Sequence, residues 1–101
     1  MSNSECFFVY ILYAPSFDKY YIGQTSDIKQ RLLEHNHSEK NNFTSRYRPW
    51  TLMLSIPVPS RNIALRMERY IKNRKSKSYW NNLIHKEDIR TKLLNKFNAF
   101  D

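Results

Sequence analysis

The sequence predicts an α+β domain in which a small three-stranded antiparallel sheet is flanked by helices, in the order β-β-α-β-α-α. Two apolar segments at 6–13 and 20–24 are separated by the turn-like residues APSFDK, which is typical of a β-hairpin. A third strand-like segment follows at 50–56. Apolar residues with helical spacing come after the hairpin and again after the third strand, and no internal repeat interrupts this order.

Loop length predicts the register of the hairpin. Pairing Ala14 with Lys19 across four loop residues places Tyr10 opposite Gly23 and makes Tyr10 and Tyr21 diagonal neighbours on one face. Gly23 is the only glycine in the chain. It is expected to leave open space beside the Tyr10 ring, where a ligand could approach the backbone closely. The alternative is that both tyrosines are ordinary strand residues.

A first helix is predicted directly after the hairpin. Thr25 or Ser26 is expected to cap it, with Asp27 in its first turn. Arg31 and His35 lie one turn apart on a stripe beside its apolar face. Arg31 could offer two parallel hydrogen bonds to a phosphate. In the alternative interpretation, Arg31 extends along the surface towards water and His35 is solvated.

The third strand and the later helices follow from apolar periodicity. Four apolar residues alternate on one side of the predicted strand: Trp50, Leu52, Leu54 and Ile56. Residues 36–49 before it are expected to form a polar loop. Ser60 is expected to cap a second helix, whose apolar stripe centres near Met67. A shorter helix is predicted over 78–84, with a helix or tail after it.

Glu68 is a carboxylate at the edge of the buried face of the second helix. On a helical wheel it lies about 100° from Met67, among basic neighbours. Its simplest role is an i,i+4 ion pair with Lys72. The other role is a ligand of Mg²⁺, which prefers carboxylate oxygen and takes the rest of its coordination shell from water and substrate phosphate.

Positive charge is concentrated in the C-terminal part of the chain. Seventeen basic and nine acidic residues give a net charge of +8; residues 1–60 contribute 6 − 5 = +1, and residues 61–101 contribute 11 − 4 = +7. This asymmetry predicts a polyanionic partner, although lysine is also used for solubility alone. Five of these basic residues lie close together at 69–77: Arg69, Lys72, Arg74, Lys75 and Lys77. The next aromatic residues, Tyr79 and Trp80, are expected to pack onto the core rather than to stack on an unpaired base.

Length and composition narrow the class of protein. The 101 residues suit one domain with a single modest core. No apolar run reaches the roughly 18 residues of a membrane span, and residues 1–15 lack the pattern of a secretory signal. The lone cysteine, Cys6, fits a reducing cytoplasm and is expected to be a buried or half-buried hydrophobe rather than a nucleophile.

Two short motifs carry a family resemblance. FVY at 8–10 followed by YIG at 21–23 resembles the paired motif of the GIY-YIG nuclease superfamily. The motif tyrosines stand eleven residues apart, Arg31 follows ten residues after the second, and Glu68 lies on the helix after the third strand. The resemblance covers 6–85, leaves 86–101 as a C-terminal helix or tail, and is closest to small single-domain bacterial members. Phe8 stands where the family has its first glycine.

The resemblance implies an endonuclease that hydrolyses phosphodiester bonds in DNA with one divalent metal ion, Mg²⁺ or Mn²⁺. The implied catalytic residues are Tyr10, Tyr21, Arg31, His35 and Glu68. Of these, Glu68 would hold the metal and Arg31 would neutralise charge on the phosphate. One tyrosine would deprotonate or orient the attacking water, with Tyr10 favoured, and His35 would assist.

The same resemblance places a DNA phosphate against the bare backbone at Gly23. It also implies that five basic side chains hold the nucleic-acid backbone without reading bases: Arg69, Lys72, Arg74, Lys75 and Lys77. An asparagine after the glutamate also takes part in some family members, and the candidates are Asn73, Asn81 and Asn82. The rival interpretations are a nucleic-acid-binding module on the same fold without catalysis, and a small interaction domain. The sequence does not determine the structure of the substrate or whether the substrate is DNA or RNA. It also leaves the biological pathway and the oligomeric state undetermined.

Overall fold

The computed structural model describes residues 6–40 and 42–97. Its strands form one antiparallel sheet in the order β2-β1-β3: β1 (Phe7–Ala14), β2 (Lys19–Thr25) and β3 (Thr51–Val58). Its α-helices are α1 (Ile28–His37), α2 (Arg61–Asn73), α3 (Lys77–His85) and α4 (Glu87–Phe97). The predicted α+β class is confirmed. The C-terminal segment is a fourth helix, and a 3₁₀ turn over Thr44–Arg46 lies in the segment predicted as a polar loop.

The register of the hairpin is as predicted. Ala14 pairs with Lys19, and Tyr10 pairs with Gly23. The ring centroids of Tyr10 and Tyr21 lie 6.3 Å apart on the same face of the sheet. The two motif tyrosines therefore lie close together in the fold.

A β-bulge divides the apolar residues of β3 between the two faces of the sheet. Ile11 pairs with Leu54, but the next residue of β1, Leu12, pairs with Leu52, so Met53 is an extra residue in β3. Each extra residue reverses the alternation of side chains beyond it. The prediction that the four alternating apolar residues point to one side is therefore wrong: Trp50 and Leu52 lie on one face, and Leu54 and Ile56 on the other.

The sheet is covered on both faces, so the prediction of a single core was incomplete. The larger cluster packs β-strand residues such as Val9 and Ile11 against Met67 and Ile71 of α2 and Leu83 of α3. The smaller cluster, on the opposite face, contains Tyr10, Leu12, Ala14 and Trp50, with Ile28 and Leu32 of α1 against them. Tyr10 is therefore a core residue of the smaller cluster as well as a motif residue.

Short polar side chains begin the helices. The side chain of Asp27 accepts a hydrogen bond from the Gln30 amide and caps α1, whereas the sequence had favoured Thr25 or Ser26. Thr25 Oγ1 instead accepts from the Asp27 amide, 3.0 Å away, and so supports the cap. The predicted cap of α2 is confirmed, because Ser60 accepts from the Ile63 amide.

Three further predictions concern the packing of Trp80, the burial of Cys6 and membrane-spanning helices. The packing role of Trp80 is confirmed: its Nε1 donates to the Ile71 carbonyl at 2.8 Å, and its ring lies 5.5 Å from that of Tyr20. The expectation for Cys6 is wrong, since it is exposed at the start of β1. None of the helices within 6–40 and 42–97 is long and apolar enough to cross a membrane.

Candidate active site

Tyr10 and His35 are joined by a hydrogen bond beneath the surface. Tyr10 is 2% exposed and His35 is 6% exposed. The Oη of Tyr10, on β1, lies 3.0 Å from the Nε2 of His35, on α1. The alternative of a solvated surface histidine is therefore excluded.

Gly23 makes room for the Tyr10 ring. A methyl group at position 23 would lie 2.5 Å from the Tyr10 Oη and 2.6 Å from its Cζ, closer than non-bonded atoms approach. The predicted open surface is therefore wrong, because the ring fills the space and Gly23 is buried. Gly23, the only glycine of the chain, allows the Tyr10 side chain to pack closely against the backbone of β2. The Tyr10 ring therefore blocks the expected contact between a phosphate and the Gly23 backbone.

Gly23→Ala is expected to destabilise the fold by about 1–3 kcal/mol, as overpacking of a filled core does. The Tyr10 ring is buried and hydrogen-bonded to His35, so it has no free path away from the new methyl group. Urea denaturation followed by circular dichroism measures the effect. Gln24→Ala, at the next and half-buried position of β2, is the matched control. Equal unfolding midpoints for Gly23→Ala and wild type would contradict the packing.

Burial keeps both members of the Tyr10–His35 pair neutral. Desolvation raises the pKa of Tyr10 to about 12, although the Arg31 guanidinium acts in the opposite direction. Desolvation, with the positive charges of Arg31 and Arg48, lowers the pKa of His35 to about 4, and Glu34 opposes this only in part. At neutral pH the pair therefore carries no net charge.

The buried neutral state of His35 predicts a dependence of stability on pH. Its pKa is about 4 in the folded protein, against 6.5 for the unperturbed side chain. The unfolded chain therefore binds more protons between these values, so stability falls as the pH falls from about 6.5 towards 4. The loss from this group is on the order of 2–3 kcal/mol.

Urea denaturation at a series of pH values from about 4 to 7 tests this dependence. His35→Gln is expected to lose less free energy of unfolding than wild type over that range. His85→Gln, which alters an exposed histidine of α3, should behave like wild type. Parallel curves for wild type and His35→Gln would show that His35 is not the group responsible.

Arg31 presents donors to a solvent-accessible cleft. Its Nη1 donates to Glu34 Oε1 at 2.8 Å, in an ion pair whose two side chains are 40% and 42% exposed. Its Nε is buried and has no hydrogen-bond partner within 6–40 and 42–97. Because the Arg31 guanidinium lines the cleft, it can donate to an anionic oxygen that binds there.

The cleft has a volume of about 550 Å³ and lies between α1, β2 and the 3₁₀ turn. Its lining is mainly polar, with two aromatic rings: Tyr21, Arg31, Glu34, His35, Ser38, Lys40, Asn42, Phe43 and Thr44. Tyr10 does not line the cleft. Its hydroxyl is hydrogen-bonded to His35 and lies on the buried side of that residue. Of the two motif tyrosines, Tyr21 is the one that faces the cleft.

Glu68 is linked to the Tyr21 ring through its ion pair with Lys72. Its Oε2 lies 2.8 Å from Lys72 Nζ, which confirms the predicted i,i+4 pair. The Lys72 Nζ lies 5.9 Å from the centre of the Tyr21 ring, and that ring is 4.7 Å from the ring of His35. Tyr21 thus connects the cleft with the only acidic side chain of the predicted site.

The residues around Glu68 fit a metal that needs few protein ligands. No cluster of three or more His, Cys, Asp or Glu side chains exists in the described part of the chain. The Glu68 side chain is 16% exposed and already attracts one cation, the Lys72 ammonium. A single carboxylate of this kind suits Mg²⁺, which retains several waters and binds phosphate oxygen, and does not suit Zn²⁺ with its three or four protein ligands.

The other predicted basic residues do not gather at the cleft. Arg69 and Lys75 are exposed. Lys77 donates to Asp18 Oδ2 at 3.0 Å, and the Arg74 guanidinium lies 4.7 Å from the centre of the Tyr79 ring. Lys72 alone stands beside the predicted catalytic residues.

Sequence reasoning missed two side chains that hold α1 in place. Arg48 donates to the carbonyls of His35 and Ser38, at 2.7 and 2.6 Å, at the C-terminal end of α1. Asn36 and Trp50 exchange two hydrogen bonds, of 3.0 and 2.7 Å, between α1 and the start of β3. The polar residues of a predicted loop gave no signal for these contacts.

Comparison with known proteins identifies the family of the chain. A family model described as the GIY-YIG catalytic domain matches residues 6–83, which is most of the chain. Comparison with curated proteins gives no significant match. The match spans the sheet and the helices that carry Tyr10, Tyr21, Arg31, His35 and Glu68. The chain therefore belongs to the GIY-YIG family, whose catalytic domains are those of endonucleases.

Proposed function

We propose that this protein is a metal-dependent endonuclease that hydrolyses phosphodiester bonds in DNA. One observation carries the proposal. The Tyr21 ring lines the cleft together with Arg31 and His35, and Lys72 of the Glu68–Lys72 pair lies 5.9 Å from the centre of that ring. A phosphate in this cleft would meet a cation, a hydroxyl and a nearby carboxylate together, which are the groups that hydrolysis requires.

Tyr21 is the better candidate for contact with the attacking water. It lines the cleft, whereas the Tyr10 hydroxyl is buried and has a pKa raised to about 12. The sequence had favoured Tyr10 as the base. Its position behind His35 supports a different role, in which Tyr10 fixes the orientation of the imidazole through the 3.0 Å hydrogen bond.

Arg31 would bind the phosphate and stabilise the negative charge that develops on its oxygens. Its guanidinium lines the cleft and has a buried Nε without a partner in the described residues. Its pair with Glu34 is half exposed, so that pair is worth at most about 1 kcal/mol and can yield to a phosphate.

Glu68 would hold the divalent metal, Mg²⁺ or Mn²⁺. When bound, such an ion supplies Lewis-acid stabilisation of the phosphate and of the leaving oxygen. The Glu68–Lys72 pair has one half-exposed partner and is worth about 1 kcal/mol or less, so Lys72 can turn towards a phosphate instead. Its Nζ would then contribute a second positive charge beside Tyr21.

The same ion pair favours a second candidate function, a nucleic-acid-binding module without catalysis. In that case Lys72 permanently neutralises Glu68, and Arg31 and Lys72 only hold phosphates. Nicking of supercoiled plasmid DNA separates the two functions. The nuclease proposal predicts relaxed and linear products with Mg²⁺ or Mn²⁺ and none with chelator. A shifted band without nicking, and without cleavage of single strands, flaps or junctions, under every metal condition would support the binding module.

A further inference from the structure

Four aromatic rings lie side by side from the cleft, where Tyr21 stands, to the tip of the β1–β2 hairpin, where Phe17 lies. The ring centroids of Tyr21 and Phe43 lie 6.5 Å apart, those of Phe43 and Tyr47 lie 5.0 Å apart, and those of Tyr47 and Phe17 lie 5.3 Å apart. We call Phe43, Tyr47 and Phe17 the aromatic row. Tyr21 links the row to His35, at 4.7 Å.

The outer rings of the row are exposed. Phe43 is 49% exposed and Phe17 is 48% exposed. The remaining exposed large hydrophobic side chains in the described residues are aliphatic and lie outside the row: Leu33, Met53 and Leu65. Phe17 and Phe43 both contact Tyr47, and the Phe43 ring also lies 6.5 Å from that of Trp50 in the smaller cluster. The two exposed rings, with Tyr47 between them, therefore offer flat apolar surface to a partner.

Positive side chains flank the row at both ends. The Lys19 Nζ lies 5.3 Å from the centre of the Tyr47 ring. Lys40 and Arg31 line the cleft at the inner end. The carboxylate nearest to Phe17 in sequence, Asp18, is neutralised by Lys77 at 3.0 Å. The partner of this surface should therefore carry negative charge as well as flat apolar groups.

We propose that the aromatic row binds single-stranded nucleic acid, with unpaired bases stacked on Phe43 and Phe17 and with phosphates beside Lys19 and Lys40. Bases in a duplex stack on one another, so only an unpaired strand offers free base faces to such rings. Because the Phe43 end of the row lies next to Tyr21, which lines the cleft, the bound strand leads into the cleft. This path rests on the proposed function; the binding itself does not.

The aromatic row differs from the pair of aromatic residues that the sequence places beside the basic run. The aromatic residues that follow the basic run in sequence, Tyr79 and Trp80, pack onto the main cluster. The row is instead assembled from the hairpin tip and the segment after α1, which lie far apart in sequence. An unpaired strand beside a cleavage site occurs in single strands, flaps and branched junctions. The row therefore favours that substrate class over continuous duplex.

Fluorescence anisotropy with a labelled oligothymidylate of about 12 nucleotides tests the proposal, with a duplex of equal length beside it. Chelator is present throughout, so cleavage does not enter the measurement. The variants are Phe17→Ala, Phe17→Leu, Phe17→Trp and Phe43→Ala. Leu65→Ala removes an exposed apolar side chain outside the row and is the control. Circular dichroism verifies that each variant is folded.

Loss of one stacking ring is expected to weaken binding of the single strand by about tenfold, and to lower the ratio of single-strand to duplex affinity by a similar factor. Phe17→Leu should resemble Phe17→Ala, since an aliphatic side chain lacks a π face, whereas Phe17→Trp should retain wild-type affinity. Single-strand affinity unchanged in both alanine variants would overturn the proposal. So would an equal loss for single strand and duplex, or a change confined to the oligomeric state measured by gel filtration.

The outcomes separate this proposal from the nuclease proposal. Ring-dependent binding of single strands in a protein that cleaves no single strand, duplex, flap or four-way junction with either metal would support the aromatic row and overturn the nuclease. Metal-dependent cleavage together with a single-strand affinity that is unchanged in Phe17→Ala and Phe43→Ala would support the nuclease and overturn the aromatic row.

Discussion

Replacing Glu68 by glutamine is expected to lower the rate of phosphodiester cleavage by about 10³-fold or more. The neutral amide cannot hold a divalent cation as a carboxylate does, and the ion is worth several kcal/mol of transition-state stabilisation. The fold should persist, because the lost Glu68–Lys72 pair has a half-exposed partner and is worth about 1 kcal/mol or less. Single-turnover cleavage of a labelled oligonucleotide at saturating Mg²⁺ measures the effect.

The matched control is Glu87→Gln, which makes the same change at an exposed position of α4. It should cleave at the wild-type rate. Binding of DNA by Glu68→Gln, measured with chelator, should equal or exceed that of wild type, since one negative charge has been removed. An active Glu68→Gln protein would show that the metal is held elsewhere or is not needed.

Arg31→Ala is expected to reduce the single-turnover cleavage rate by about 10²–10³-fold, the effect of removing one preorganised donor to a developing oxyanion. Arg31→Lys should recover only part of the rate, because an ammonium lacks the planar fork of the guanidinium. Stability should change little, since the Arg31–Glu34 pair is half exposed.

Arg61→Ala, at an exposed position where α2 begins, is the control for loss of one positive charge. It should lower cleavage only through weaker binding, which raising the protein concentration would overcome. Cleavage by Arg31→Ala that recovers fully at high protein concentration would contradict the catalytic role and leave Arg31 as a binding residue.

The local parts of the fold were predictable from the sequence. Four loop residues fix the hairpin register, so the Tyr10–Gly23 pair followed from counting. Helical periodicity placed Glu68 at the edge of the buried face of α2, where its side chain is 16% exposed. Both results depend on neighbours within a few residues along the chain, and the sequence carries that information directly.

The parts that failed depend on contacts between distant residues. The bulge at Met53 leaves the alternation of apolar residues in β3 intact in the sequence, so nothing indicated the change of face. The space at Gly23 is filled by one rotamer of Tyr10, which the pattern cannot specify. Lys77 is occupied by Asp18, 59 residues away, so counting charges overstated the surface free to bind phosphate.

The most direct test of the nuclease proposal is multiple-turnover cleavage by the wild-type protein. End-labelled single strand, duplex, flap and four-way junction would be incubated in excess over protein with Mg²⁺, Mn²⁺ or chelator. We predict more than one product molecule for each protein molecule with either metal, none with chelator, and the fastest cleavage on a substrate with an unpaired strand. Retention of every substrate in salt-sensitive complexes, with no product under any metal condition, would contradict the account and identify a binding module.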